Sequence, residues 1–378
     1  MRILFMQPSM SPPGGGNGVA AWMLQALKDV HEVTVLTWWP VDLDLMNRFW
    51  GTSLCAGDFR AIRVPARVRR VVDALPLPLS MLRTALMLRE VRRRRAEYDV
   101  PVTANNESDF GAVGVQYVHY PWNLFPRPAV DYRWYHLRVL LPPYYRLCTG
   151  VSGFTAAGMH RNVTLVNSNW TGRLAQQRYG FVSQTVYPPV TAEFPDVPWE
   201  ARQPGFVCIG RISPEKELDR VIDIVSGVRR QVPDVTLHIV GTPDDKHYHR
   251  RIAARARAAG FTLHENLSRA ALVELVSRQR YGIHGMLEEH FGMAPAELVR
   301  AGCLVWVHDG GGQVEIVDDP RLIYGSVEDA VAKIVATLRD PHETATLRKH
   351  LAARGARFSA ERFMREIRAA VADAAATP

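Results

Sequence analysis

Two carboxylates eight positions apart, Glu289 and Glu297, stand in Glu289-His290-Phe291-Gly292-Met293-Ala294-Pro295-Ala296-Glu297. Pro295 suits the first turn of a helix that runs to Arg300 or Ala301 and stops at Gly302, which places Glu289 in the preceding loop and Glu297 in the opening turn. Carboxylates flanking an amide-bearing loop can grip pairs of vicinal hydroxyls. Two cations, Arg211 and Lys216, stand in Gly210-Arg211-Ile212-Ser213-Pro214-Glu215-Lys216 after an apolar run at 206–209. Ser213 reads as an N-cap and Pro214 as a first helical residue, so Lys216 would oppose the positive end of a helix dipole. A diphosphate between Arg211, Lys216 and free amides removes that conflict. A third element, Pro12-Pro13-Gly14-Gly15-Gly16-Asn17-Gly18, reads as a glycine loop before a helix beginning near Val19, and its amides can approach an anion closely. It also matches the loose dinucleotide pattern GxGxxA, but Thr37-Trp38-Trp39 stands where a nicotinamide-dinucleotide site needs an acidic residue.

These segments need a scaffold that presents loops at strand ends. Apolar runs at 3–6, 33–37, 115–119 and 164–167, and again at 206–209, 236–240, 281–284 and 304–308, alternate with segments of helical length. That is the pattern of an α/β protein with parallel sheets covered by helices on both faces, in which ligands bind beyond the carboxyl ends of the strands. A chain of 378 residues exceeds one core. Tyr187-Pro188-Pro189-Val190 reads as a stiff linker, giving an N-terminal domain over 1–187, a C-terminal domain over 188–358, and a tail helix over 359–378 that packs back on the first domain through Phe363, Ile367 and Val371.

The composition, 47% hydrophobic and 22% charged, is that of an ordinary globular protein. Cys55, Cys148, Cys208 and Cys303 form no CxxC, which argues against structural zinc and a thioredoxin-like motif and suits a reducing compartment. No apolar stretch reaches the roughly 18 residues of a membrane span, and the first apolar run is too short for a signal peptide. The expectation is a cytoplasmic protein, peripheral at most. Of the formal charge of +8, residues 60–100 hold eleven arginines against Asp73, Glu90, Glu97 and Asp99. Interleaved with Val71, Leu75, Leu77, Leu82, Leu86 and neighbours, these arginines suit an anionic membrane surface. The competing reading is that the apolar residues face the N-terminal core and that Arg92–Arg95 close an exposed helix.

With these motifs in place, the chain resembles the glycosyltransferase family-four enzymes of GT-B fold. Glu289 and Glu297 reproduce the family's E-x7-E, Arg211 and Lys216 its GRxxxxK, and Gly15 and Gly16 stand at its donor-binding loop. The segments 115–121, 167–171 and 187–190, together with Glu289-His290-Phe291-Gly292, are similar to the GDP-mannose-dependent α-1,2-mannosyltransferases that extend lipid-linked oligosaccharides. The resemblance implies two Rossmann-like domains with parallel sheets facing across a cleft, and a retaining hexosyl transfer from a nucleotide-diphosphate sugar, GDP-mannose or a UDP-sugar, to a glycan, lipid-linked or small-molecule acceptor. It assigns the donor sugar to Glu289 and the amides of His290, Phe291 and Gly292, the ribose to Glu297, the diphosphate to Arg211 and Lys216, and a place beside the reacting sugar to His119. Glu217 departs from the pattern, since many relatives carry glycine after the lysine.

No Asp-x-Asp stands at a strand end, so no cofactor or divalent metal is expected and the leaving diphosphate is neutralised by Arg211, Lys216 and helix dipoles. A phosphorylase of the same fold would need an inorganic-phosphate or cofactor-lysine site that is not identifiable. A nucleotide-sugar epimerase would turn over donor without acceptor. A non-catalytic nucleotide-sugar sensor is disfavoured by the intact Arg211, Lys216, Glu289 and Glu297, and a basic nucleic-acid-binding protein would bind with a steep salt dependence.

Overall fold

The structure is a computed structural model that describes residues 1–377 except 13, 78 and 122–138. The chain divides into two compact units, Met1–Pro189 with Ala360–Pro378, and Val190–Ser359. Each is a parallel sheet with helices on both faces.

In the first unit the strands are β1 (Arg2–Met6), β2 (Glu32–Thr37), β3 (Arg60–Arg63), β4 (Val100–Thr103), β5 (Val115–Val118), β6 (Val163–Val166) and β7 (Gln184–Thr185), in the spatial order β3-β2-β1-β4-β5-β6-β7. All neighbours pair in parallel. Successive residues of β1 feed opposite faces: Ile3 and Phe5 enter one apolar cluster, Leu4 and Met6 another. The first cluster is closed by the helices Gly15–Leu27 and Ala360–Ala376, with Phe363, Ile367, Ala370, Val371 and Ala374 of the latter buried in it. Arg368 Nε adds a hydrogen bond to the Ala26 carbonyl at 2.7 Å.

The second unit contains β8 (Gln203–Ile209), β9 (Thr236–Gly241), β10 (Thr262–Glu265), β11 (Gln279–His284), β12 (Leu304–His308) and β13 (Ile323–Tyr324), in the order β10-β9-β8-β11-β12-β13. In each unit the connection reverses direction once, between β1 and β4 and between β8 and β11. Ligands of open α/β sheets bind at such reversals. Among the described residues no helix is long and apolar enough to cross a membrane.

Three local expectations are corrected. The helix expected near Val19 begins at Gly15, so Gly15 to Gly18 form its first turn rather than a loop. The glycines permit close packing there: a Cβ on Gly18 would lie 2.7 Å from Trp50 Cε3. Ser213 supplies no side-chain cap, and its hydroxyl donates to Glu215 Oε1 at 2.7 Å. Lys216 ends a short 3-10 turn, Pro214–Lys216, and the helix proper, Leu218–Arg229, starts only after Glu217.

Glu217 itself is left-handed, with φ 50° and ψ 42°. A side chain in that region costs about 1–2 kcal/mol, and glycine returns roughly half of the relief as backbone entropy. Glu217→Gly is therefore expected to raise stability by about 0.5–1 kcal/mol in urea melts, since the Arg220 ion pair it removes is long at 3.7 Å and worth little. An unchanged or lower midpoint would show that the left-handed turn carries no strain.

Candidate active site

In the second unit, the carboxyl ends of β8 and β11 bring three charged or polar side chains together. The 3-10 turn after β8 aims Lys216 inward, and the loop after β11 carries Glu289. Lys216 Nζ lies 2.7 Å from Glu289 Oε2 and donates to Met286 Sδ at 3.2 Å. His284, the last residue of β11 and almost fully buried, lies with Nε2 3.2 Å from the same Oε2. Burial pushes the His284 imidazole below its usual range. It is thus neutral near pH 7 and donates from Nε2.

Burial alone would push the Glu289 carboxyl up, but the Lys216 charge and the hydrogen bonds from His284 and Lys216 outweigh it and hold the group far below the ordinary glutamate range. Glu289 Oε2 is fully engaged, and Oε1 is left to accept from a ligand hydroxyl. The loop is braced from behind: Gly312 N donates to the Glu289 carbonyl at 2.7 Å, and Gln313 Nε2 donates to the Met286 and Gly310 carbonyls at 2.7 and 2.9 Å.

The other predicted residues are placed as follows. Gly292, at φ 109°, is the N-cap of the helix Met293–Arg300. The Phe291 ring is buried against Phe358 and is taken up by the core. His290 is half-buried beside Glu289. Glu297 falls in the second turn of the helix, not the first, and is held by Arg269 Nη2 at 3.1 Å and Nη1 at 3.4 Å. Arg211 does not join the Lys216 cluster: its side chain is 56% exposed and forked between Asp244 at 2.7 Å and Glu215 at 2.8 Å.

Sequence reasoning, which set the loop 266–269 near the nucleobase, missed His284 and the pairing of Arg269 with Glu297 and of Asp244 with Arg211. His284 carried a readable signal, a polar residue closing an apolar strand five positions before Glu289. Arg269 and Asp244 carried none, because their partners lie 28 and 33 positions away.

In the first unit, His119 directly follows β5. Its ring lies against the opening turn of the glycine helix, where a Cβ on Gly16 would sit 3.2 Å from His119 Nε2. Gly15 opens that helix after Gly14 at φ 144°. Asp42-Leu43-Asp44, an Asp-x-Asp that follows β2, uses its first carboxylate to cap the helix Leu43–Trp50 by accepting from Leu45 N at 2.9 Å.

Residues 190–357 match the family described as glycosyl transferases group 1. A human GDP-Man:Man(3)GlcNAc(2)-PP-Dol alpha-1,2-mannosyltransferase is 28% identical over 251 residues, 58% of this chain and 50% of that protein. The Yarrowia lipolytica protein of the same name is 28% identical over 185 residues, 42% of this chain and 29% of that protein. The chain thus spans about half the length, or less, of these curated relatives. Among solved structures, Anabaena HepE in complex with UDP superposes with a TM-score of 0.70 at 16% identity, covering 99% of this chain and 100% of that one. A glycosyltransferase from Rickettsia africae gives 0.69 at 13% identity, covering 100% and 99%. These structures share the GT-B fold.

Proposed function

We propose, from the match of residues 190–357 to the glycosyl transferases group 1 family, that the chain transfers a hexose from a nucleotide-diphosphate sugar to a hydroxyl acceptor with retention of anomeric configuration. The observation that carries this reading is the Lys216–Glu289–His284 cluster at the β8/β11 reversal, which offers a cation and a fixed carboxylate to one ligand. GDP-mannose is favoured by the names of the curated relatives and a UDP-sugar by the nucleotide bound to HepE. Thermal melting with GDP, UDP, dTDP and ADP tests the nucleotide: at about 100 times its dissociation constant a true ligand adds roughly 2.7 kcal/mol. No shift with any of the four would count against the reading, and turnover of donor without acceptor would favour an epimerase.

In the proposed reaction the acceptor oxygen forms a bond to the anomeric carbon as the bond to the leaving phosphate breaks, and the acceptor proton passes to that phosphate oxygen. Lys216, and Arg211 if it leaves its carboxylates, would offset the charge on the diphosphate, with His119 beside the reacting sugar. Activity is accordingly expected to survive EDTA, and product NMR to show the donor's anomeric configuration. A metal requirement or an inverted product would refute the scheme.

The acceptor class is tied to the arginine-rich segment. Most of its apolar residues face the core: Val72, Met87 and Leu88 are buried, and Val68, Leu79, Leu82 and Leu86 pack against them. Arg83, Arg92 and Arg94 are paired with Asp73, Asp109 and Glu90. A smaller face remains on the helix Ala66–Asp73 and the turn after it. There Val71, Leu75 and Leu77 are 68%, 46% and 54% exposed beside the exposed Arg63, Arg67 and Arg70. Arg67, Arg70 and Val71 share one helix face. Three arginines at about 1 kcal/mol each and three apolar side chains suit an anionic lipid surface, and with it a lipid-linked acceptor. Co-flotation with phosphatidylglycerol vesicles at low salt is expected, and should be lost at high salt and in Arg67→Glu/Arg70→Glu. Failure to float at low salt would leave a soluble acceptor.

A further inference from the structure

The turn after β4 is organised around His119. The chain leaves β4 at Thr103 and places the Ala104 carbonyl 2.9 Å from His119 Nε2. A carbonyl only accepts, so Nε2 carries the hydrogen, and in the neutral form of the ring the lone pair then lies on Nδ1. Two residues on, Asn106 adopts the left-handed conformation at φ 62°. Its amide oxygen accepts from His119 N at 2.7 Å and from Tyr120 N at 3.3 Å. The Asn106 backbone N–H donates to the Tyr117 carbonyl at 3.2 Å, and Asn167 Nδ2 donates to the His119 carbonyl at 3.1 Å. Backbone nitrogen, backbone oxygen and ring of His119 are each tied to a different anchor.

We infer that Asn106 is a positioning residue, whose side-chain oxygen and left-handed backbone together fix His119 against Gly16 in the tautomer with Nδ1 unprotonated. The two contributions are separable. Glycine would serve the left-handed turn at least as well, because asparagine is tolerated there and glycine is unstrained. What glycine cannot supply is the acceptor for two successive backbone N–H groups just past β5. Without it those groups must find water, and the strand end carrying the imidazole is released. The functional part of the inference rests on the proposed place of His119 beside the reacting sugar.

Asn106→Gly, Asn106→Asp and His119→Ala are compared with the intact protein. Asn106→Gly is expected to keep its melting temperature and nucleotide affinity while kcat falls about 10–100-fold, the scale of a small misplacement of a reacting group. Asn106→Asp, which restores the acceptor, should return kcat to within about threefold of the parent, a range well inside the glycine defect. Nitrogen-15 spectra of the His119 ring should show one Nε2–H tautomer in the parent and Asn106→Asp, and averaged nitrogen shifts in Asn106→Gly. Parental kcat and an unchanged ring spectrum in Asn106→Gly would overturn the inference, as would equal losses of kcat and stability in both Asn106 variants. His119→Ala separates the two layers. Full turnover by that variant would remove the reading of His119, while the ring spectrum would still decide whether Asn106 fixes the tautomer.

Discussion

A Lys216→Ala protein is expected to fold, to show no nucleotide-induced rise in melting temperature, and to lose about 10²–10³ in kcat/KM, the scale of removing one charge-stabilising donor. Stability should fall too, because Lys216 is the cation of a pair with Glu289 whose side chains are only 16% and 17% exposed. Stranding that carboxylate beside His284 alone is expected to cost on the order of 2 kcal/mol at neutral pH. The pH dependence follows from the depressed Glu289 carboxyl. A carboxyl held low in the fold stabilises above its unfolded value, near 4.5, and the gain is lost as pH falls below it. The gap between parent and variant should therefore be full at pH 7, begin to narrow below about pH 4.5 and vanish only as the pH falls through the far lower folded value. A nucleotide shift equal to the parent's would remove Lys216 from the diphosphate site.

The second large effect divides the two glutamates. Glu289→Gln is nearly isosteric but breaks the ion pair and neutralises the group expected on the donor sugar, so kcat should fall about 10²-fold with a small change in KM. Glu297 is already gripped by Arg269 at 3.1 and 3.4 Å and is expected on the ribose. Glu297→Gln should weaken donor binding about tenfold and leave kcat within a fewfold. Separate measurements of donor affinity and single-turnover rate distinguish them. Equal, purely binding defects in both variants would refute the division.

How far such residues could be read from the sequence depended on whether their signal was local. Strands β1, β2, β5, β6, β9, β11 and β12 emerged from short apolar runs to within two residues at each end, and β8 to within three, because both faces of these parallel strands are covered. β4 did not, since Pro101 sits inside it where a proline argues against a central strand. β3, Arg-Ala-Ile-Arg, is an edge strand whose charges mask its pairing. The motifs of Glu289 and Lys216 marked two residues that the fold brings together at the β8/β11 end. Helix starts were less legible: Ser213 and the glycines after Pro13 are used for other contacts than their propensities suggest. Arg211 shows the limit most clearly, since its partner Asp244 is supplied by the chain following β9, and only the fold brings β9 beside β8.

The first unit is not contiguous in the chain: its closing helix, Ala360–Ala376, follows the whole of the second unit. During synthesis at about 5–20 residues per second, most domains can complete in the order in which they are made. Here residues 1–189 emerge with the apolar cluster that contains Phe5, Val35 and Val102 still lacking its members Phe363 and Ile367, while 190–359 form a unit contiguous in the chain. The half translated second is thus the first able to finish, and the half translated first stays open on one face until residues 360–376 have been made.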